Sequence, residues 1–427
     1  MRKPAFLLLI ALLWTASAPA ETSAALTLEE AYRLALTRSE DIGIRQESIN
    51  IAAAHFYRAF DVILPSVHYE YTNMQQDAPE GGGTDGTFTG NSFRRTTQGQ
   101  KITFSQPLFS GFKEIAALQG AGAEKNQRRF EMRRAKHLLF IDVSEAYYAL
   151  LQARKDEDIL GEVRELMKKR QQELEERAKL GRSREAEVQS AVAELKLLEA
   201  DLETARQVEI LARQLMEFYI GRPLDEPLMD ALLPAHESAK PDFAKLAEQR
   251  DDVRALREAK LLSDKNVLAA QSDLFPHVTL DGNYYTERVG FQRDIDWDLL
   301  LTIDVPIFDK FNTYADINVA GAQRKTAELL WVKQRRTAEL EIRNAHEEYE
   351  ASSRIEASLH EAAEASKKNY ELQVEEYRSS LINNVQVLDT LRSYQEILRR
   401  YNDAQYQLKK DFWALRVAEG RSPVEEK

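Results

Sequence analysis

"FSQPLFSGFKEIAALQGAGA" (residues 104–123) and "IDVPIFDKFNTYADINVAGA" (residues 303–322) are two versions of one stretch. Pro107 and Pro306, Phe109 and Phe308, Phe112 and Phe311, and the shared "AGA" all lie 199 positions apart in a chain of 427 residues. The same spacing carries Gly221 in "YIGRPL" to Gly420 in "AEGRSP", and "GRSREAEVQSA" (181–191) to "SLINNVQVLDT" (380–390). Upstream, "ILPSVHYEYT" and "LFPHVTLDGN" match at a spacing of 211, from Pro65 to Pro276. The first copy therefore holds 12 more residues between its two strand candidates, in or near "DAPEGGGTDGTFTGN" (77–91). A constant spacing over so long a stretch marks an internal duplication.

Proline and glycine outline the architecture. No proline occurs between Pro107 and Pro223, or between Pro306 and Pro423, and both intervals are rich in Ala, Glu, Leu, Lys, Arg and Gln, the strong helix formers. Leu391, Tyr394, Leu398, Tyr401, Leu408, Phe412 and Leu415 recur at steps that form one seam of a coiled-coil-like helix. Each interval has one reversal, at "KLGRSRE" and at "SSLINNV". The expectation is a helical hairpin per repeat, with arms of roughly 60 residues reaching about 90 Å. The flanking pieces 28–64 and 242–275 read as further helices.

Two stretches of period two precede each hairpin. Val67, Tyr69 and Tyr71 alternate with Ser66, His68, Glu70 and Thr72. Leu299, Leu301, Ile303 and Val305 alternate with Asp298, Thr302 and Asp304, although Leu300 breaks the pattern. Strands are expected near 65–76, 95–107, 276–287 and 296–306. One apolar and one polar face suits a barrel with lipid outside and water inside; a soluble half-buried sheet alternates equally well. Four strands cannot close a barrel, since bacterial barrels begin at about eight, and an open edge is not tolerated in lipid. If these strands cross a membrane, several chains must pool them.

Residues 1–20 read as a signal peptide: Arg2 and Lys3, the apolar core "FLLLIALLW", and "APA" before Glu21. Its removal takes the formal net charge from −12 to −14. An acidic chain lacks the basic footprint of a nucleic-acid binder. The absence of cysteine rules out disulfides, thiol chemistry and a lipid anchor on a mature N-terminal Cys. Past residue 20 nothing resembles a spanning helix, so any membrane crossing must use strands.

No constellation for catalysis emerges. The histidines at 55, 68, 137, 236, 277, 346 and 360 show no metal-ligand spacing. "GGGTDG" lacks the GK[ST] of a phosphate loop, and "DEDILGEVRE" reads as a solvated helix face. No enzyme activity, cofactor or metal is expected.

The start "LTLEEAYRLALTRSEDI", the junctions "PLFSGF" and "PIFDKF", and "YRSSLINNVQVLDTL" followed by "YNDAQYQLKKDFWALRVAEG" together resemble the TolC-type outer-membrane efflux family across the mature chain. The resemblance implies a mixed α and β fold built as a tandem repeat. Three chains would form a homotrimer whose four strands each make one twelve-stranded outer-membrane β-barrel, continued by a long periplasmic α-helical barrel with a collar. The implied division is a signal peptide at 1–20, a first repeat at 21–221 with its hairpin at 111–221, and a linker or collar at 222–241. A second repeat follows at 242–420 with its hairpin at 310–420, then a tail at 421–427. The collar would draw on "RPLDEPLMDALLPAHESAKPD" and on the N-terminal residues.

The implied function is a passive outer-membrane channel of a tripartite efflux or type I secretion system in a Gram-negative bacterium. Its partners would be a periplasmic adaptor, an inner-membrane pump and outer-membrane lipid, with no nucleic acid. An exported coiled-coil stalk or adhesin without a pore is the alternative; it accounts for the helices and leaves the amphipathic strands unexplained. An exported carbohydrate-active enzyme has no positive evidence.

The resemblance also assigns site residues. Leu180, Gly181, Arg182 and Ser183, with Ser380, Leu381, Ile382 and Asn383, form the hairpin tips that would dock the adaptor. In the family a first-hairpin aspartate pairs with a second-hairpin tyrosine, an arginine ties down the same hairpin, and two aspartates ring the constriction. Glu187 and Tyr377 stand at the pair, Ile382 at the arginine, and Gln386 and Asp389 at the ring. Ser380 departs from the glycine usual at the second turn. The expectation is a surviving Glu187–Tyr377 link and a ring thinned to Asp389.

Overall fold

The computed structural model describes residues 25–61, 63–77, 96–233, 241–288, 292 and 294–421. The expected signal peptide, most of the glycine-rich insertion and most of the expected tail lie outside the described residues.

Eight helices and four strands follow in the order α1 (Leu28–Arg38), α2 (Glu40–Arg58), β1 (Ser66–Gln75), β2 (Thr96–Ser110), α3 (Lys113–Lys179), α4 (Glu185–Ile220), α5 (Phe243–Gln249), α6 (Asp251–Gln271), β3 (His277–Glu287), β4 (Trp297–Asp304), α7 (Asn312–Arg378) and α8 (Asn384–Ala418). The helical arms are unequal, which corrects the expected arms of roughly 60 residues. α3 and α7 each run 67 residues, about 100 Å, whereas α4 and α8 have 36 and 35. The turns sit off-centre in the proline-free intervals. α4 and α8 therefore cover one half of each long helix, while α2 and α6 pack along the other.

The duplicated stretch builds the passage from strand to helix. At its centre two successive residues adopt left-handed backbone, Gly111 (φ +64°) with Phe112 (+70°) and Lys310 (+58°) with Phe311 (+69°). The repeated phenylalanines meet edge to face in both copies, Phe109 on Phe112 at 5.1 Å and Phe308 on Phe311 at 6.1 Å. The chain repeats itself because it makes the same turn twice. Gly111 is needed for a further reason: a Cβ there would lie 2.2 Å from Ser272 O.

The sheet is an antiparallel meander, β1-β2-β3-β4, joined between repeats by β2 and β3. Its register sorts the faces. Phe104 stands opposite Val67 and Gly282, Ile102 opposite Tyr69 and Tyr284, and Leu280 opposite Leu301. The other face is polar and cross-linked: Thr103 donates to Asn283 at 3.1 Å, Asn283 to Asp298 at 2.8 Å, and Lys101 pairs with Glu70 at 3.0 Å. Leu300, which broke the alternation, falls on this face opposite Asp281. Among the described residues, β1 and β4 are the edges of the sheet, each paired on one side only. Among the described residues no helix is long and apolar enough to cross a membrane.

Midway along the helices, Leu26 bridges Leu228 in parallel, so the N-terminal segment and the inter-repeat linker lie side by side. Tyr147 Oη is 2.8 Å from Leu26 O and 2.7 Å from Met229 O, sharing one proton between two carbonyls. Tyr406 donates to Asp230 at 3.1 Å, and Lys409 pairs with the same carboxylate. Burial raises the pKa of both phenols, keeping them protonated donors. This belt shifts the expected seam of α8. Asn402, Tyr406 and Lys409 are buried, while Leu398, Tyr401 and Leu408 are only half-buried, because the helix packs against both α7 and α3.

Both hairpin turns close as Schellman motifs. Arg182 N donates to Arg177 O at 2.8 Å and Gly181 N to Ala178 O at 2.9 Å; Leu381 N donates to Glu376 O at 3.0 Å and Ser380 N to Tyr377 O at 2.9 Å. Gly181 has φ +68°, and Ser380 takes the same conformation at +61°. A residue with Cβ in that region costs about 1–2 kcal/mol. Ser380→Gly is therefore expected to stabilise the chain by roughly 0.5–1 kcal/mol, and Gly181→Ser to destabilise it similarly. Thermal unfolding followed by helical circular dichroism checks both. A lower midpoint for Ser380→Gly would contradict the strain.

Candidate functional site

Each tip is a few residues of irregular backbone between helices held by apolar packing. Leu160, Val163, Met167 and Leu174 of α3, Val188, Leu195 and Leu198 of α4, Tyr370 and Tyr377 of α7, and Val387, Leu388 and Leu391 of α8 form one core cluster just behind the turns. Tyr370 and Tyr394 stack within it, 6.2 Å apart and 7° from parallel. The exposed ends beyond are Leu180 (71% exposed) and Leu381 (75%). Gly181, Arg182, Ser380 and Asn383 are exposed and Ser183 is half-buried. Ile382 turns inward against the core cluster, so only Leu381 of the expected apolar pair is presented.

Within one chain the expected link between Glu187 and Tyr377 is not formed. Glu187 accepts a hydrogen bond from Ser183 at 2.5 Å, spanning the first turn of its own helix. Tyr377 is buried among other groups: the Arg170 guanidinium lies 3.7 Å from its ring centroid and that of Arg177 lies 4.7 Å away. Glu187 and Tyr377 share no hydrogen bond. Gln386 is committed to its own helix start. Its side chain accepts from Asn383 N at 3.1 Å while its own N–H donates to Asn383 Oδ1 at 3.1 Å, a capping box on α8.

Asp389 remains free to face solvent. Its side chain is 63% exposed, and Arg392 Nη1 lies 3.5 Å away. That arginine is held elsewhere, by a bidentate pair with Glu194 of α4 at 3.0 and 2.6 Å, which raises its pKa. Arg399 makes a second bidentate pair, with Asp156 of α3 at 2.7 and 2.9 Å. Two arginines of the second hairpin thus clasp carboxylates of the first.

The residues missed by sequence reasoning are Arg170, Glu173, Arg177 and Asn384. The first three sit at i, i+3 and i+7 in "RQQELEER", a pattern that reads as solvated helix surface. Asn384 is hidden behind the capping residue before it. Only the partner helix reveals that this face is covered.

Residues 244–421 match the model of the family described as outer membrane efflux protein. A curated relative, outer membrane protein OprJ of Pseudomonas aeruginosa, is 26% identical over 155 residues, which is 35% of this chain and 32% of OprJ. The matched stretch spans about a third of that relative's length. Among solved structures, the outer membrane protein VceC of Vibrio cholerae superposes with TM-score 0.79 at 18% identity, covering 92% of this chain and 96% of that one. The CmeC outer membrane channel of Campylobacter jejuni gives TM-score 0.78 at 16% identity, covering 92% and 85%. At these identities the structural likeness is one of fold.

Proposed function

We propose, for a chain of the TolC-type outer membrane efflux family, that it is a passive channel of the Gram-negative outer membrane. Three copies would assemble as a homotrimer whose tube reaches into the periplasm. An inner-membrane pump and a periplasmic adaptor would drive substrates through it to the exterior.

One observation carries this reading: the joint between the two repeats has an unfilled counterpart at the chain's free edges. Inside the chain, β2 pairs with β3 and α3 packs on α6. Gly120 there takes the Leu262 side chain, with Arg133 against Asp251 at 3.2 Å and Arg134 against Asp252 at 3.8 Å. Moving the first partner forward by 199 and the second back by 211 turns the Arg133–Asp251 pair into a half-buried Val332 and a Glu40 already held by Arg38, and lands the others on exposed residues at the free edges. Val319 (55% exposed) answers to Ile51 (56%). Lys333 answers to Asp41, and Lys310 to Asp61, all four exposed and without a salt bridge among the described residues. A second copy at that edge would pair β4 with its own β1. Apolar residues would bury against apolar ones and both lysines would gain carboxylates.

Three copies supply twelve strands, above the eight or so at which bacterial barrels begin, and remove every edge from lipid. Trp297, Leu299, Leu301, Ile303, Val67, Tyr69 and Tyr71, all more than half exposed in the single chain, become the lipid-facing band. The long helices extend the tube by about 100 Å, ending at the tips, where Leu180, Gly181 and Leu381 offer a surface for an adaptor.

The same operation pairs Ile303 with Tyr71 of the next copy, the counterparts of Phe104 and Gly282. Facing residues on antiparallel strands lie about 4.5–5.5 Å apart at Cα, within disulfide reach, and the chain has no cysteine of its own. Tyr71→Cys combined with Ile303→Cys is expected to link copies covalently in the outer membrane, neither single variant doing so. The purified particle is expected to conduct in planar bilayers. A water-soluble, non-conducting product without cross-links would overturn the proposal.

Two further outcomes follow from the tip. Asp389 gives one exposed carboxylate per chain, and a ring of like charge in a pore attracts cations. Multivalent cations are expected to block conductance and Asp389→Ala to relieve the block; equal block in both would place Asp389 outside the pore. Gly181→Val, where added atoms meet nothing within 4 Å of the Cβ position, is expected to impair export while the trimer still inserts. Unchanged export would remove the tips from the docking surface.

A further inference from the structure

We propose that Arg170 is the positioning residue that holds the tip of the second hairpin against the first, through the ring of Tyr377 and the amide of Asn384. It takes the place of a tyrosine hydroxyl–carboxylate bond.

Arg170 projects from α3 and its side chain is 3% exposed. A guanidinium so buried must be compensated, and its partners come from three helices. Nε donates to Asn384 Oδ1 of α8 at 2.9 Å, Nη1 donates to Glu173 of α3 at 3.0 Å, and its plane lies on the Tyr377 ring of α7 at 3.7 Å. The aromatic face is the negative end of the ring quadrupole, so it attracts a cation where no carboxylate is free. Arg177 takes a second position over the same ring. Glu173 is shared further: Arg177 Nη2 lies 3.9 Å away and Arg378 Nε of α7 lies 3.7 Å away. Three arginines thus share one carboxylate; the ring of Tyr377 attracts two of them, Arg170 and Arg177, while Arg378 is exposed to solvent. The hydroxyl of Tyr377 has no part in this.

The junction is incompletely satisfied. Arg170 Nη2 and Asn384 Nδ2 are buried and find no acceptor among the described residues. Buried donors without acceptors penalise the closed arrangement, and parting the hairpins would return both to water. A fully satisfied junction would lack that incentive to open.

The duplication shows that the device belongs to the joint within a chain. On the 199 spacing Arg170 answers to Asn369, Tyr377 to Ala178, and Asn384 to Glu185. None of the three recurs in the other repeat, so the joint between copies has no such junction.

The consequence for transport rests on the channel reading above, so the test has two arms. Leu180→Cys and Leu381→Cys place spin labels on the exposed tips of the otherwise cysteine-free full chain. In that background, Arg170→Ala and Tyr377→Leu are expected to broaden the tip-to-tip distance distribution, and Tyr377→Phe to leave it unchanged. In planar bilayers the first two are expected to raise single-channel conductance several-fold over wild type, with Tyr377→Phe at the wild-type level. Arg170→Lys keeps the charge and cannot hold both ring and amide, so it should fall between. Should Arg170→Ala fail to fold, the two Tyr377 variants still decide. Tyr377→Phe behaving like Tyr377→Leu would restore the hydroxyl bond and overturn the proposal, as would unaltered distances in Arg170→Ala and Tyr377→Leu. A wild-type particle that does not conduct would defeat the channel reading, leaving the distances to judge the junction.

Discussion

Two unpaired strand edges set the terms for this chain. Among the described residues, β1 and β4 each have a strand partner on one side only and an exposed apolar face. In lipid such an edge has no solvent to satisfy it, so closure and association become a single event. The helices inherit that constraint. Each long helix follows its strand through a left-handed corner, Gly111-Phe112 or Lys310-Phe311, so closure of the sheet would dictate how the helices stand.

Duplication explains how one chain meets the constraint economically, and its divergences show what each position requires. Where the backbone alone matters, the residue is free to vary: Ser380 adopts the conformation of Gly181, and Lys310 that of Gly111. Where a neighbour approaches, it is not. A Cβ on Gly111 would lie 2.2 Å from Ser272 O, so the glycine stays in the first repeat, while at the matching position the exposed Lys310 meets no such obstacle. Arg170 marks the opposite case, a contact present in one repeat alone.

Much of the fold is legible in the sequence because its signals are local. Proline-free runs announce the helices, period-two alternation announces the strands, and the constant spacing shows that both occur twice. The unequal arms follow from the turn positions themselves; what composition does not say is that α2 and α6, rather than α4 and α8, cover half of each long helix. The α8 seam misleads for a related reason: Asn402 and Lys409 are buried beside Gln152 and Asp230, polar partners more than a hundred residues away. The tip is the hardest part to read. Glu187 and Tyr377 occupy positions that invite pairing, yet Ser183 claims the first while Arg170 and Arg177 claim the second. An arginine on an acidic helix resembles any solvated charge until the helix that covers it is in view.

Reuse of the internal joint between copies is the central claim, and the stoichiometry of the particle tests it most directly. Native mass spectrometry of the detergent-extracted full chain counts the copies without altering any residue. Three copies in one closed species is the result predicted. A monomer, or a ladder of open-ended oligomers, would contradict it, because strand edges would then persist where lipid allows none.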